Sequence, residues 1–329
     1  MNHLALGPIP TLWSSDGAGA AWDQSKDLLT RARPPAVQIH SWEPRPTIDL
    51  VRLKLDLPSL PLVVGVGMDG VAKRVAKGEW SLSRGVQTFV ELARRAVDAG
   101  AGAIKWNAEG GWKRPPNSAE RKRLEDCVRL ALAEVKLRFP SLQQLFTSYD
   151  HPGHHSAFPW KAWLGEGSPI TESYWQVYAA GGAKGVHPHR GALPAREASS
   201  IASYRKALRS GLLRPDVPDG AEGDDTDLDW RPYLQLHHVH AADTIAMAVR
   251  YPTCALWAVP TRADAHGRAA FLALCALHGR GFWGDGAVQR FQASIGLTAD
   301  GVVGPATARE LGLGDVWPTK APTPLALVA

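Results

Sequence analysis

The stretch from Ala103 to Trp112 reads AIKWNAEGGW and decides the fold class. Ile104, Trp106 and Ala108 alternate with Lys105, Asn107 and Glu109, the period-two pattern of a strand with one apolar and one polar face. The polar row ends at Glu109, where two glycines break the strand, so it needs a lumen or cleft to face. Before it, Val86, Phe89, Val90, Ala93 and Val97 fall at helical spacing, with Gly100 and Gly102 in the turn. After it, Asn117 with Glu120 three residues on resembles a capping box, opening a helix expected over 118–139. Helix, strand, helix is the unit of an α/β fold.

Seven further strand-like segments surround this one: Thr11 to Ser14, Ala36 to Trp42, Leu62 to Asp69, Gln144 to Asp150, Ile170 to Tyr178, Tyr233 to Val239 and Cys254 to Val259. Helical patterns lie between most of them, over 20–31, 47–55, 198–212 and 242–250. This alternation predicts a parallel (β/α)8 barrel. The acidic, Pro- and Gly-rich run Arg214 to Asp229 reads as a long exposed loop.

The chain has 329 residues, room for a barrel and one small module. Its 45% hydrophobic and 21% charged content is ordinary for a globular protein, and no apolar run has the length of a membrane helix. The start MNHLALGPIP lacks the form of a secretory signal, so a protein made in the cytoplasm is expected, exported by another route where it acts outside. Cys127, Cys254 and Cys275 are widely spaced and read as buried thiols. The net charge of +5 is too dispersed to imply a nucleic-acid groove. Thirteen Trp residues stand out, because flat rings suit sugar faces as well as cores.

Active sites of such barrels lie at the C-terminal ends of the strands. Counting by twos places Asp69, Glu109 and Asp150 at three adjacent strand ends, with the parity of Gly65 and Gly67, of Lys105 and Asn107, and of Ser148. The sixth strand adds Gln176 and Tyr178, with Glu172 deeper. Cleavage of a glycosidic bond needs a carboxylic acid for the leaving oxygen and usually a second carboxylate. Glu109 with Asp150 or Asp69 can supply the pair, and Trp112, Tyr149 and Trp175 are candidates for stacking on sugar. Salt bridges to Lys105, Lys113 or Arg114 are the plain structural alternative.

Histidines cluster in DHPGHH, HPH and HHVH. A Zn²⁺ site built from His151, His238 and His240 is the alternative chemistry, with metal-bound water as nucleophile; otherwise no cofactor is expected. No P-loop, dinucleotide fingerprint, G-x-S-x-G elbow or nucleophilic Cys setting occurs.

The segment GFWGDGAVQRFQASIGLTADGVVGPATARELGL, Gly281 to Leu313, follows an apolar helix pattern over 263–278. Its A-V-x-x-F-Q and G-L-x-x-D-G-x-x-G-x-x-T, with Phe291, Gln292, Asp300 and Thr307, closely resemble the three-helix peptidoglycan-binding domain of many wall hydrolases. The usual first D-G-x-F-G half is contracted to Gly281–Gly286. WNAEGG resembles the D-x-E strand end of family-25 lysozymes (Chalaropsis-type muramidases), and YWQVYAAGG their late W-Q-Y strand. Glu109 then matches that family's catalytic acid, Asn107 stands where it has an aspartate, and Asp16 in LWSSDG is the nearest group to its early I-D-V-S.

These resemblances imply a barrel over 1–262, a peptidoglycan-binding domain over 263–315 and a tail over 316–329. They imply a muramidase-like endolysin or wall-remodelling enzyme acting on bacterial peptidoglycan; the missing secretory signal fits holin-dependent release or a wall-degrading part of a phage particle. Two other classes remain: a non-catalytic wall-binding part of a phage tail or injection device, and a zinc-dependent amide or acetyl hydrolase.

Overall fold

The computed structural model describes residues 7–13, 20–41, 56, 58–112, 118–149, 151–177, 192–213, 230–236, 240–257 and 264–319. Eight parallel strands close into a barrel in sequence order. They are β1 (Gly7–Trp13), β2 (Val37–Ser41), β3 (Leu62–Gly67), β4 (Ala103–Asn107), β5 (Gln143–Tyr149), β6 (Ile170–Val177), β7 (Trp230–Gln235) and β8 (Thr253–Trp257). The expected (β/α)8 architecture is therefore the one the chain adopts. The expected helix over 47–55, the capping residue Asn117 and the acidic run 214–229 lie outside the described residues.

Two strands begin more than one residue earlier than their hydrophobic pattern suggests. β1 starts at Gly7 because Pro8 and Pro10 share one parity, so their missing N–H groups fall on one side of the strand. They register against β8, Pro8 with Cys254 and Pro10 with Leu256, while the ladder to β2 begins only at Thr11. β7 starts at Trp230, with Pro232 beside Trp175 of β6.

Two separate apolar layers follow from strand parity. Ile9, Ala36, Val63, Ala103, Leu145, Tyr174, Tyr233 and Ala255 fill the inside of the barrel. The outward face meets the helices through a large aromatic layer, in which Trp106 lies 4.9 Å from Phe89 and Trp163 lies 4.9 Å from Phe146. Trp112 meets Trp163 edge-on at 5.4 Å, and Trp175 meets Trp160 at 5.5 Å. The Trp106 indole N–H is satisfied by Gln144 Oε1 at 3.1 Å, which explains a polar side chain on the outward face of β5.

Helix Ala265–Gly279 packs against β1 and the helices Ala20–Ala32 and Ala241–Ala248, in the position of the eighth barrel helix. Asp264 caps it by accepting from Gly267 N at 2.8 Å. The segment beyond adds helices Ala287–Ser294 and Pro305–Glu310. Trp283 Nε1 donates to Tyr251 O at 2.8 Å, and Arg31 reaches Gly312 O at 3.4 Å and Asp315 at 3.3 Å. Tyr251 precedes β8, and Arg31 ends the helix that returns to β2. Both anchors therefore lie at the N-terminal face of the barrel, opposite the strand ends that carry Glu109.

Helices Leu82–Asp98 and Ser118–Arg138 cross closely at Gly85. A Cβ there would stand 2.7 Å from Cys127 Sγ and 2.8 Å from Val75 Cγ2. Alanine normally favours a helix over glycine by about 0.5–1 kcal/mol. Here Gly85→Ala is expected instead to destabilise, by about 1–3 kcal/mol from overpacking. The penalty should shrink in a Cys127→Ala background. Urea unfolding of the four-member cycle checks the sign.

Candidate active site

β4 carries the site. Its residues Ala103, Lys105 and Asn107 face the lumen while Ile104 and Trp106 pack outward, as the alternation in AIKWNAE predicts. Three consecutive backbone ties hold the strand's end. Met68 N donates to Asn107 O at 2.9 Å, Ala108 N to Thr147 O at 3.2 Å, and Glu109 N to Asp69 Oδ1 at 2.9 Å. Asp69 is the first residue of helix Asp69–Ala76, one step past Met68 at the end of β3. Gly110 admits it: a Cβ at that position would meet Asp69 Oδ2 at 3.3 Å.

Glu109 and Asp69 are both half-buried, open in part to the mouth. From β6, Gln176 Nε2 donates to Glu109 Oε1. From β5, Tyr149 lies within electrostatic reach of both carboxylates: burial first, then the negative charges of Glu109 and Asp69, push its phenol well above the ordinary range. Tyr149 is thus held neutral as a donor, with the His155 ring tilted against its own at 4.1 Å. Strands β4, β5 and β6 and the turn after β3 therefore bring Glu109, Asp69, Tyr149 and Gln176 to one opening.

Other expectations meet a different outcome. Asp150, Tyr178 and His238 lie outside the described residues, as do Asp16, Lys113 and Arg114. β5 presents Leu145, Thr147 and Tyr149 to the lumen, so the parity assigned through Ser148 is corrected by one. Ser148 instead donates to Ala108 O at 2.8 Å and braces the end of β4. Trp112 and Trp175, both 0% exposed, cannot stack on sugar; their faces are spent in the aromatic layer. Phe291, Gln292 and Thr307 are likewise buried. Gln292 Nε2 donates to Asp300 Oδ1 at 2.7 Å, to Val302 O at 3.0 Å and to Thr307 Oγ1 at 3.1 Å, while its Oε1 accepts from Gly301 N at 2.9 Å. Gln292 and Thr307 are thus spent on folding the motif's own loop, while Asp300 stays exposed. Of the histidines, His151 bonds Ser199 at 2.9 Å and His240 packs beside His266 at 5.7 Å. Among the described residues no three His, Cys, Asp or Glu side chains are grouped to hold a metal ion. The three cysteines are free and buried, and burial pushes their thiols up.

Below the mouth lies a charged layer. Glu172 accepts from Arg231 at 3.0 Å and from the Tyr174 hydroxyl at 2.7 Å. Lys105 Nζ sits 4.4 Å from the centre of the Tyr174 ring and 4.3 Å from that of Tyr233. Burial pushes Lys105 down to about 7, with Glu172 pulling it back up, and burial with Lys105 pushes His40 down to about 3. Gln38 and His40 enter the same lumen, where a Cβ on Gly65 would lie 2.6 Å from Gln38 Nε2 and 2.5 Å from His40 Nδ1. Glycine on β3 is what lets those side chains in. The alternation V-Q-I-H in β2 carried the signal for both residues.

No protein-family model matches the sequence, and none of the curated proteins matches it. Among solved structures, the chain is similar to the spore cortex-lytic enzyme SleL of Bacillus megaterium, at 12% identity and TM-score 0.46, over 72% of this chain and 52% of that one. It is also similar to an endo-beta-N-acetylglucosaminidase from Cordyceps militaris, at 8% identity and TM-score 0.46, over 83% of this chain and 92% of the other. The chain thus spans about half the length of the cortex-lytic enzyme. Neither likeness says what this chain binds.

The lumen layer generates a pH prediction. Lys105 titrates lower in the folded than in the unfolded chain, so between about pH 7 and its unfolded value of roughly 10.4 the unfolded state binds more protons. Its contribution is full above that window and lost as pH falls towards 7. Relative to Lys105→Met, the wild type should therefore gain on the order of 2 kcal/mol between pH 7 and 9. Denaturant unfolding of both proteins at the two pH values measures the difference; a constant gap contradicts it.

Proposed function

We propose that the barrel is a glycoside hydrolase that cleaves the glycan of bacterial peptidoglycan, in the manner of a muramidase-like endolysin. The observation that carries this reading is the pairing of Glu109 with Asp69 at the barrel mouth, joined by Gln176 and Tyr149. Glycosidic cleavage needs an acid to protonate the departing oxygen and a carboxylate to stabilise or capture the sugar cation, both within one opening.

Glu109 acts as the general acid. Because its Oε1 already accepts a hydrogen bond from Gln176, Oε2 is left to carry the proton. Asp69 uses Oδ1 to hold the Glu109 backbone, and its second oxygen, beside Gly110, supplies the negative charge that faces the sugar. Tyr149, kept neutral, donates a hydrogen bond to substrate or to a carboxylate as charge develops. Asp150 is the further candidate for the second carboxylate. The likeness of Gly281–Leu313 to peptidoglycan-binding domains supports the choice of substrate, and the protein then works at the cell wall.

The test is product analysis. Wild type incubated with purified peptidoglycan should release new reducing ends, identified by mass, while Glu109→Gln should be slower by about 10²–10⁴-fold, the usual weight of a general acid. Asp69→Asn should also fall, and chelator should leave the rate unchanged. Equal rates for wild type and Glu109→Gln rule out this assignment of the acid. Wall binding without any sugar release favours a non-catalytic role, and loss of activity with chelator favours zinc chemistry.

A further inference from the structure

A groove of about 780 Å³ opens on the side of the barrel, away from the carboxylates of the mouth. Its walls come from the turn Pro152–His155 after β5, the helices Ser118–Arg138 and Trp160–Leu164, and the face of helix Ala192–Arg209 together with Ser210–Leu212. His151 and Ser199, bonded at 2.9 Å, close its upper end next to the strand ends. The lower end is reached past the C-terminus of helix Ala192–Arg209. Ser199 to Ser210 spans about 16 Å at 1.5 Å per residue, so the groove suits an extended ligand.

The lining is one-sided in charge. Arg121, Lys161 and Lys206 project into it, with His154 and the hydroxyls of Ser199 and Ser203, and no carboxylate lines it among the described residues. Arg121 is answered by Glu125 at 3.0 Å, in a half-buried pair. Lys161 and Lys206 make no ion pair among the described residues, and both are exposed. Uncompensated cations beside hydroxyls attract oxyanions, through charge at distance and hydrogen bonds at contact. A nonpolar floor that includes Ala202, Ala207 and Leu212 suits the faces of a carbohydrate chain between its charges.

We propose that this groove is a second binding site, for an anionic glycan strand whose carboxylates meet Lys161, Lys206 and Arg121. The inference rests on the wall-glycan reading for the source of its ligand, because carboxylates branch from peptidoglycan strands. Binding at the groove does not depend on cleavage at the mouth.

The test uses Glu109→Gln as the parent, so that no turnover occurs, and an oligogalacturonate, which bears a carboxylate on each ring, as the probe in calorimetric titration at low salt. Lys161→Glu with Lys206→Glu should weaken binding by about tenfold or more, and the Lys→Arg pair should retain it. Lys136→Glu, on the helix Ser118–Arg138 but outside the groove, should bind like the parent. Added salt should erase the difference between parent and double variant. A neutral chitin oligosaccharide should bind all variants alike. An unchanged Kd in the double Glu variant overturns the proposal. A single-stranded oligonucleotide that binds the groove more tightly than the oligogalacturonate overturns the choice of a glycan. Loss of wall cleavage in Glu109→Gln bears only on the mouth, so the two readings fail separately.

Discussion

In a closed parallel barrel every second residue of each strand must live in a lumen that water barely enters, and this chain puts a carboxylate there. Glu172 is tolerable only because Arg231 and the Tyr174 hydroxyl bond to it and Lys105 lies in the same layer. Two cations for one carboxylate is more charge than the pair needs. Burial is what brings Lys105 down to about 7, between two tyrosine faces that partly replace its hydration. The layer is a packed polar plug, and it sets the depth at which a ligand entering from the mouth must stop.

Above that plug the site is fixed by backbone and not by long side chains. Asn107 O, Ala108 N and Glu109 N each bond a neighbour from a different element, so the carboxylate of Glu109 leaves from a strand end that has little freedom to move. Asp69 serves two purposes through two oxygens, one as a structural acceptor and the other beside Gly110. The proposed role of Glu109 as an acid would benefit from such a base, because a displacement of an ångström at the reacting atoms costs orders of magnitude in rate.

The architecture and the acid at the end of β4 were legible because β4 and β6 alternate polar and apolar residues, and parity follows from alternation. β5 was misread by one residue because both of its faces are buried and neither is uniformly apolar: Gln144 bonds an indole outside while Leu145 packs inside. The tryptophans misled for a related reason. Trp112 and Trp175 lie near the strand ends in sequence, yet the short helix Trp160–Leu164, which no periodicity announced, supplies Trp160 and Trp163 to cover them. Gln292 shows the limit of motif reading. Its place in A-V-x-x-F-Q marks a residue that the loop after it requires, and burial removes it from any ligand.

The position of the C-terminal segment changes how polymer capture has to work. Sequence order suggests a module that hands a strand directly to the mouth. The anchors Trp283 to Tyr251 and Arg31 to Gly312 instead seat it at the barrel's opposite face, and helix Ala265–Gly279 belongs to the barrel wall and the module at once. A helix shared in this way leaves no flexible linker through which the module could swing around. On the proposed reading, a glycan held there would have to run along the outside of the barrel, about the length of a barrel helix, to reach Glu109.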